Sequence, residues 1–347
     1  MAEAPLTSAQ AAIRLDVADA GMVLVAQQHA RRVAELAGLD RDGVEAAALV
    51  TAELAGNAQR HASRGQLVVQ PSVDGAALDV LALDRGPGLA NWSQAILDGY
   101  STTAGSLGAG LGSVSRVATS VTGFAEPGRG TVVGARIGPP GHAATISALG
   151  VPCRGERVNG DAWSWSVEPA GVFAVLADGL GHGPAAAAAG AAAVAEPGDL
   201  AACELPEALL RVHARLRGTR GAAVTAVRVQ PSAVSGGHEL LAAGVGNVAA
   251  AVVSPDGTVR RSLIGHGTAG VALRTPVQTR TPVPPGGVVV LHTDGLLSSW
   301  DLAGRARVLD ASPALLAAVL LRDHERGSDD TGIVVIQPAA LAGEGLR

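Results

Sequence analysis

Two segments of this chain repeat one arrangement, an apolar run that ends in an aspartate followed by a glycine. Residues 172–177 lead into Asp178-Gly179, and residues 288–293 lead into Asp294-Gly295. Short apolar runs are typical of buried strands, and the glycine lets the backbone turn or approach an ion closely. The repeat therefore predicts two buried strands that each deliver a carboxylate at one end.

The chain is long enough, at 347 residues, for two domains of ordinary size. Gly138-Pro139-Pro140-Gly141 combines helix and strand breakers with flexible residues, which makes it the predicted linker. The expected division is a tail at 1–14, a first domain at 15–138, a linker at 139–146, a second domain at 147–338 and a tail at 339–347.

The first domain is predicted to be an α+β layer structure, with helices over a mostly antiparallel sheet. Helical periodicity covers 17–39, 44–62 and 111–120, and alternating or apolar strand patterns cover 66–73, 77–83 and 130–137. Asp74-Gly75 lies between the first two strands and is a strong hairpin signal.

The second domain is dominated by short strand patterns, which favours sheets packed on one another with helices outside. Strands are predicted at 173–177, 222–229, 248–253 and 288–292, and helices at 184–195, 206–216 and 313–322.

Charge and hydropathy exclude several classes of protein. The net charge is −5 and there is no basic patch, so neither nucleic acid nor a membrane surface is an expected partner. The longest apolar run, 185–195, is shorter than the roughly 20 residues of a membrane span, and the first residues lack a secretory pattern. A soluble, cytoplasmic protein is expected, in which Cys153 and Cys203 are packing residues.

Glu53, Asn57 and His61 are spaced four apart on a predicted helix and therefore share one face. A carboxylate on that face can accept a proton from an attacking hydroxyl, and an amide oxygen can bind the magnesium of a nucleotide. Taken alone, the same spacing also fits an ordinary polar helix face.

Two glycine-containing loops follow in the same half of the chain. Asp84 ends a strand and precedes Gly86 and Gly88, so its carboxylate could accept from an adenine amino group or simply open a β-turn. A second run contains Gly108, Gly110 and Gly112 and opens a helix, where free backbone N–H groups favour phosphate oxygens.

The ordered set of Glu-x-x-x-Asn, Asp-x-Gly-x-Gly and Gly-x-Gly-x-Gly resembles the GHKL (Bergerat) ATP-binding fold, an α/β sandwich, over residues 15–138. Residues 98–112 are especially similar to the RsbT-like serine kinases. The resemblance implies ATP and Mg²⁺ as cofactors, Glu53 as general base and Asn57 as magnesium ligand. It also implies Asp84 as the adenine contact, Thr131 as a further adenine-side contact, and the glycines as nucleotide-binding backbone.

The second half contains carboxylates at widely separated positions: Asp161, Asp178, Asp294 and Asp329. Several carboxylates converging from distant segments are what a binuclear magnesium or manganese site requires. Each Asp-Gly pair alone would also fit a turn. Two pairs that end apolar strands, with Asp329-Asp330 before a further strand, favour the metal site.

Residues 149–337 resemble the metal-dependent PPM phosphatases, in their SpoIIE and RsbX-like branch, whose fold is a β-sandwich flanked by helices. The matching segments are 154–161, 177–183, 244–247, 265–270, 292–296 and 326–330. The resemblance implies two Mn²⁺ or Mg²⁺ ions held by the four aspartates and Gly179, and attack of a metal-bridging hydroxide on phosphoserine or phosphothreonine. His182 and His266 could contact phosphate or merely satisfy loop hydrogen bonds.

The end of this pattern departs from the family. The family has a threonine two residues after the Asp-Asp or Asp-Asn pair, whereas here Thr331-Gly332 follows Asp329-Asp330. The expected metal ligand Asp329 is retained, but the supporting hydroxyl is displaced by one position.

The two resemblances together predict a bifunctional regulator of a bacterial stress or sigma-factor pathway. The first domain would phosphorylate a STAS-type or anti-sigma-system partner, and the second would remove phosphate from serine or threonine. One alternative is a phosphatase controlled by a nucleotide-binding, partner-binding domain without kinase turnover. Another is that both halves are inactive scaffolds.

Overall fold

The computed structural model describes residues 12–61, 65–89, 92, 110–141, 145–168, 171–232 and 237–338. Within this part of the chain the contacts define two compact units. One comprises the described residues of 12–141 together with 314–323, and the other those of 145–313 and 324–338. Gly108 and most of the segment 98–112 lie outside the described residues.

The first unit contains one antiparallel sheet with strand order β1-β2-β3-β5-β4. Its elements between residues 12 and 141 are β1 Ile13–Asp16, α1 Ala20–Leu36, α2 Arg41–His61, β2 Gln66–Pro71, β3 Leu78–Leu83, α3 Gly110–Val117, β4 Ser120–Glu126 and β5 Gly130–Ile137. The predicted arrangement of helices with an antiparallel sheet is confirmed.

Local chemistry explains where these elements begin and turn. Asp19 caps α1, its carboxylate accepting from the Met22 N–H at 3.0 Å. Ala26, Ala30 and Val33 recur at helical spacing on α1 and are buried in the core of this unit. The predicted hairpin is present between β2 and β3.

The second unit contains two five-stranded sheets, with orders β15-β10-β9-β8-β7 and β12-β11-β16-β17-β6, and a short β13-β14 pair. The strands in chain order are β6 Ile146–Val151, β7 Asp161–Glu168, β8 Gly171–Gly179, β9 Ala222–Pro231, β10 His238–Val245, β11 Ala249–Val253, β12 Val259–Arg261, β13 Gly267–Thr268, β14 Ala272–Leu273, β15 Thr279–Val283, β16 Val288–His292 and β17 Thr331–Ile336. The helices are α4 Pro184–Val194, α5 Pro197–Ala201, α6 Leu205–Arg215 and α7 Pro313–His324. Residues 314–323 of α7 group with the first unit.

Strand β8 is buried on both faces, which explains its unbroken apolar sequence. Phe173, Val175 and Ala177 point into the core shared with α4, α5 and α6. Ala174 and Leu176 lie on the opposite face and are also buried. A strand enclosed in this way loses the alternating pattern and becomes apolar throughout.

The sequence patterns locate the long helices and several of the strands, whereas β4, β6, β7 and β10 were not predicted. The helix predicted at 111–120 ends at Val117, because Thr119 already donates its N–H to Arg136 and begins the β4–β5 pairing. The helix predicted from residue 17 begins at Ala20, and Ile13–Asp16 pairs with β2 as a strand that the pattern did not predict.

None of the helices in the described part of the chain is long and apolar enough to span a membrane.

Candidate metal centre and nucleotide site

The second unit places its aspartates at strand ends. Asp161 is the first residue of β7 and lies directly opposite Asp178 in the antiparallel pairing with β8. Asp294 follows the end of β16 by two residues, and Asp329 precedes β17 by two residues. Because β16 and β17 are antiparallel neighbours, the end of one and the start of the other lie at the same edge of their sheet.

The aspartates influence one another strongly. Burial, followed by repulsion from Asp178, raises the pKa of Asp161 well above its usual range. Burial raises the pKa of Asp178 to about 7, with further increases from Asp294 and Asp329. Neighbouring like charges disfavour simultaneous ionisation, and a bound cation would relieve this repulsion and favour the ionised aspartates.

Two buried carboxylate oxygens, Oδ1 of Asp161 and Oδ1 of Asp294, have no hydrogen-bond partner among the described residues. In each aspartate the other oxygen is satisfied. Oδ2 of Asp161 accepts from the Thr293 hydroxyl at 2.7 Å, and Oδ2 of Asp294 accepts from the Asn247 amide at 2.6 Å. An unpaired buried carboxylate oxygen is costly, so this donor set fits a divalent cation that prefers oxygen ligands.

The protein side chains do not form a complete ligand cage by themselves. In the described residues, no group of three or more His, Cys, Asp or Glu side chains is spaced to hold a metal ion. Gly179, the predicted backbone ligand, ends β8 next to Asp178. An added Cβ at this glycine would lie 2.1 Å from the Ala186 carbonyl oxygen, so close packing of α4 requires glycine there.

Asp330 has a supporting role that the sequence did not reveal. Its Oδ1 accepts from the Cys153 N–H at 2.7 Å, and its Oδ2 accepts from the Gly160 N–H at 2.8 Å. Asn159 in turn accepts from the Asp161 N–H at 2.9 Å. Asp330 therefore anchors the loop that leads into Asp161, while Asp329 is the predicted ligand of the pair.

Thr293 and Asn247 are further residues that the sequence reasoning did not assign to the centre. Thr293 immediately precedes Asp294, and Asn247 lies in the segment 244–247 that carries the family resemblance. Of the two candidate histidines, His182 pairs through Nδ1 with Glu156 Oε1 at 2.8 Å, and His266 is exposed.

In the first unit, Glu53 and Asn57 lie one turn apart on α2, next to the start of α3. A Cβ added at Gly110 would lie 2.9 Å from Glu53 Oε2 and 3.5 Å from Asn57 Nδ2. The backbone at the N-terminus of α3 therefore lies against both predicted side chains. Gly112, in the first turn of the same helix, is buried. The Asn57 amide oxygen accepts from Arg60 at 3.0 Å.

The Asp84 loop is held by backbone hydrogen bonds. Asp84 Oδ1 accepts from the Gly86 N–H at 2.7 Å and from the Thr131 N–H at 3.2 Å, and the Asp84 N–H donates to the Thr131 carbonyl at 2.9 Å. Gly88 has φ +72°, and a Cβ there would meet the Glu126 carbonyl oxygen at 2.2 Å. Hydrogen bonds thus join Asp84, Gly86 and Thr131, and Gly88 packs against the Glu126 carbonyl.

Comparison with known proteins matches each half separately. The family model described as "Stage II sporulation protein E (SpoIIE)" matches residues 168–338. "Serine/threonine-protein kinase RsbT" of Bacillus subtilis (strain 168) is 34% identical over 115 residues, which cover 32% of this chain and 84% of that protein. The chain therefore belongs to the RsbT family through its N-terminal part, and its residues 168–338 match the SpoIIE family model.

Solved structures are also similar. One, described as "The bacterial stressosome: a modular system that has been adapted to control secondary messenger signaling", has a TM-score of 0.50 and 25% identity, covering 56% of this chain and 98% of its own. Another, "Crystal structure of RsbX in complex with magnesium in space group P1", has a TM-score of 0.46 and 20% identity, covering 55% of this chain and 94% of its own.

Proposed function

We propose that this protein is a bifunctional regulator, in which the first unit phosphorylates serine or threonine on a partner and the second unit removes such phosphates. The observation that carries the phosphatase half is the pair of unpartnered buried oxygens of Asp161 and Asp294 among mutually repelling aspartates. Asp294, Asp178 and Asp329 lie within residues 168–338, the segment that matches the SpoIIE family, and Asp161 lies shortly before that segment. The kinase half rests on the RsbT relationship.

In the phosphatase unit, Asp161, Asp178, Asp294 and Asp329, with the Gly179 carbonyl, would hold two Mn²⁺ or Mg²⁺ ions. The ions would supply Lewis-acid activation of a water and of the substrate phosphate. The protein's own contribution is to orient the ligands: Thr293 and Asn247 each hold one oxygen of an aspartate. Asp330 holds the backbone before Asp161 in place.

In the kinase unit, the proposed fold is the GHKL ATP-binding sandwich. Glu53 would take the proton from the attacking hydroxyl, and Asn57 would bind Mg²⁺. Asp84 would accept from the adenine amino group in the turn that Thr131 closes. The N–H groups near Gly110 and Gly112, with Gly108 before them, would bind phosphate at the start of α3.

The proposed partner is a STAS-domain phosphoprotein or another member of an anti-sigma system, in the cytoplasm. RsbT is described as a serine/threonine-protein kinase, and the similar solved structure is described in terms of the bacterial stressosome. Both descriptions support a role in partner switching, in which phosphate on one protein decides which complex forms.

Two assays test the proposal. The protein is incubated with ATP, Mg²⁺ and a STAS-domain protein, and separately with the phosphorylated form of that protein and Mn²⁺. We expect phosphate transfer in the first assay and phosphate release in the second. Glu53→Gln is the matched control for transfer and Asp294→Asn for release. Absence of both activities would refute the proposal.

A second candidate function is a phosphatase controlled by a nucleotide sensor that does not transfer phosphate. One contact favours it: the Asn57 oxygen that would bind Mg²⁺ accepts a hydrogen bond from Arg60. Phosphate transfer that is abolished by Glu53→Ala while ATP binding persists would eliminate this candidate.

A further inference from the structure

The two oxygens of Asp161 have different surroundings. The residue is 1% exposed. Its Oδ2 accepts from the Thr293 hydroxyl at 2.7 Å, whereas its Oδ1 has no partner among the described residues. A carboxylate held through one oxygen presents the other in a defined direction.

Thr293 is itself fixed on both sides. It is fully buried, and its hydroxyl oxygen accepts from the Gly332 N–H at 2.9 Å. A hydroxyl has one proton to donate. The Asp161 oxygen at 2.7 Å is closer than the alternative acceptor, the Gly332 carbonyl at 3.5 Å, so the proton is directed to Asp161.

The neighbouring strand does not supply this hydroxyl. Gly332 has no side chain, and a Cβ added there would lie 3.2 Å from Asp161 Oδ2 and 3.1 Å from Leu176 Cδ1. The Thr331 hydroxyl is buried and has no partner in the described part of the chain. The hydroxyl that donates to Asp161 therefore belongs to Thr293, which directly follows β16 and lies opposite Gly332 on β17.

We propose that Thr293 is the positioning residue of the metal centre, holding Oδ2 of Asp161 so that Oδ1 is free to bind a metal ion. The inference rests on the proposed phosphatase function of the second unit. Thr293 does not contact substrate in this role. It acts through Asp161. Its hydroxyl takes the place of the threonine hydroxyl that the family pattern has at position 332.

The test compares Thr293→Val, which keeps the shape and removes the hydroxyl, with Thr293→Ser, which keeps the hydroxyl. Mn²⁺ binding is measured by calorimetry, and circular dichroism in EDTA confirms that each metal-free variant is folded. Loss of a residue that orients a metal ligand typically weakens metal binding by about 10–100-fold. We expect that loss in Thr293→Val, and binding close to wild type in Thr293→Ser.

A Thr293→Val protein that folds and binds Mn²⁺ as tightly as wild type would overturn the inference. If that variant does not fold, Thr293→Cys replaces it, because a thiol is only a weak donor and the same weakening is expected. Wild-type binding and Mn²⁺-dependent hydrolysis of para-nitrophenyl phosphate are measured in parallel. If wild type shows neither, the proposed phosphatase function fails and the inference fails with it.

Discussion

At the scale of single residues, the protonation states of the side chains decide the charge of the proposed metal centre. Asp178 has a pKa of about 7 because burial and the neighbouring aspartates disfavour its ionised form. His292, two residues before Asp294, has its pKa lowered to about 4 by burial. It donates through Nδ1 to the Thr293 carbonyl and accepts from Trp300 through Nε2, so it remains neutral near physiological pH.

The raised pKa of Asp178 predicts how the metal-free protein responds to pH. Between its unfolded value near 4 and its folded value of about 7, the folded state binds more protons than the unfolded state. Stability is therefore lost as pH rises from about 4 towards 7 and levels off above the folded pKa. We expect the thermal midpoint in EDTA to fall between about pH 5 and 7.5 and to change little at higher pH.

Asp178→Asn is the control for this prediction, because an amide does not titrate. Its thermal midpoint in EDTA should change less over the same pH window than that of wild type. An equal pH dependence in the two proteins would show that Asp178 is not responsible.

Glu53 gives a second prediction at this scale. If it is the general base, Glu53→Gln should lower the rate of phosphate transfer by about 10²–10⁴-fold, the usual contribution of such a group. The amide keeps the size of the side chain, so ATP affinity measured by calorimetry should change little. Transfer at the wild-type rate would remove Glu53 from the mechanism.

At the scale of elements, the sequence predicted best the strands that are buried on both faces. Segments 172–177 and 288–291 are continuous apolar runs, and both lie within strands, β8 and β16. Strand β7 carries half-exposed Trp163 and Trp165 and was missed. The cross-strand register that sets Asp161 opposite Asp178 depends on pairing between segments, which no local pattern contains.

The same limit applies to the candidate sites. Asp178 and Asp294 were predicted because Asp-Gly at a strand end is a local signal, and Asp329 because Asp329-Asp330 precedes a further strand. Thr293 and Asp330 act across strand pairs: their partners are Asp161, Gly332, Cys153 and Gly160. Those partners are known only once β16, β17 and β7 are placed.

Close packing at the end of β8 gives a prediction for one glycine. Gly179→Ala would place a methyl group 2.1 Å from the Ala186 carbonyl oxygen on α4. Overpacking of this kind costs about 1–3 kcal/mol, so the urea midpoint in EDTA should fall. Gly198→Ala is the matched control because a Cβ there meets nothing within 4 Å. Equal midpoints for the two variants would contradict the packing described.

At the scale of the whole molecule, the two proposed sites lie in two separate units. The residues proposed for nucleotide binding lie between Glu53 and Thr131, and those proposed for metal binding lie between Asp161 and Asp329. If each site belongs to its own unit, the activities should be separable by substitution.

This separation is a prediction about Asp294→Asn and Glu53→Gln. We expect Asp294→Asn to lose phosphate release and retain ATP binding. Glu53→Gln should lose phosphate transfer and retain Mn²⁺-dependent hydrolysis of para-nitrophenyl phosphate. Loss of both activities in either folded variant would show that the two sites are not independent.

The most direct test of the bifunctional account is a time course with γ-phosphate-labelled ATP, Mg²⁺, Mn²⁺ and a STAS-domain partner. With Asp294→Asn, label should accumulate on the partner and remain there. Adding Glu53→Gln protein, which retains the phosphatase centre, should then release that label as inorganic phosphate. A partner that is never labelled, or label that persists after this addition, would contradict the account.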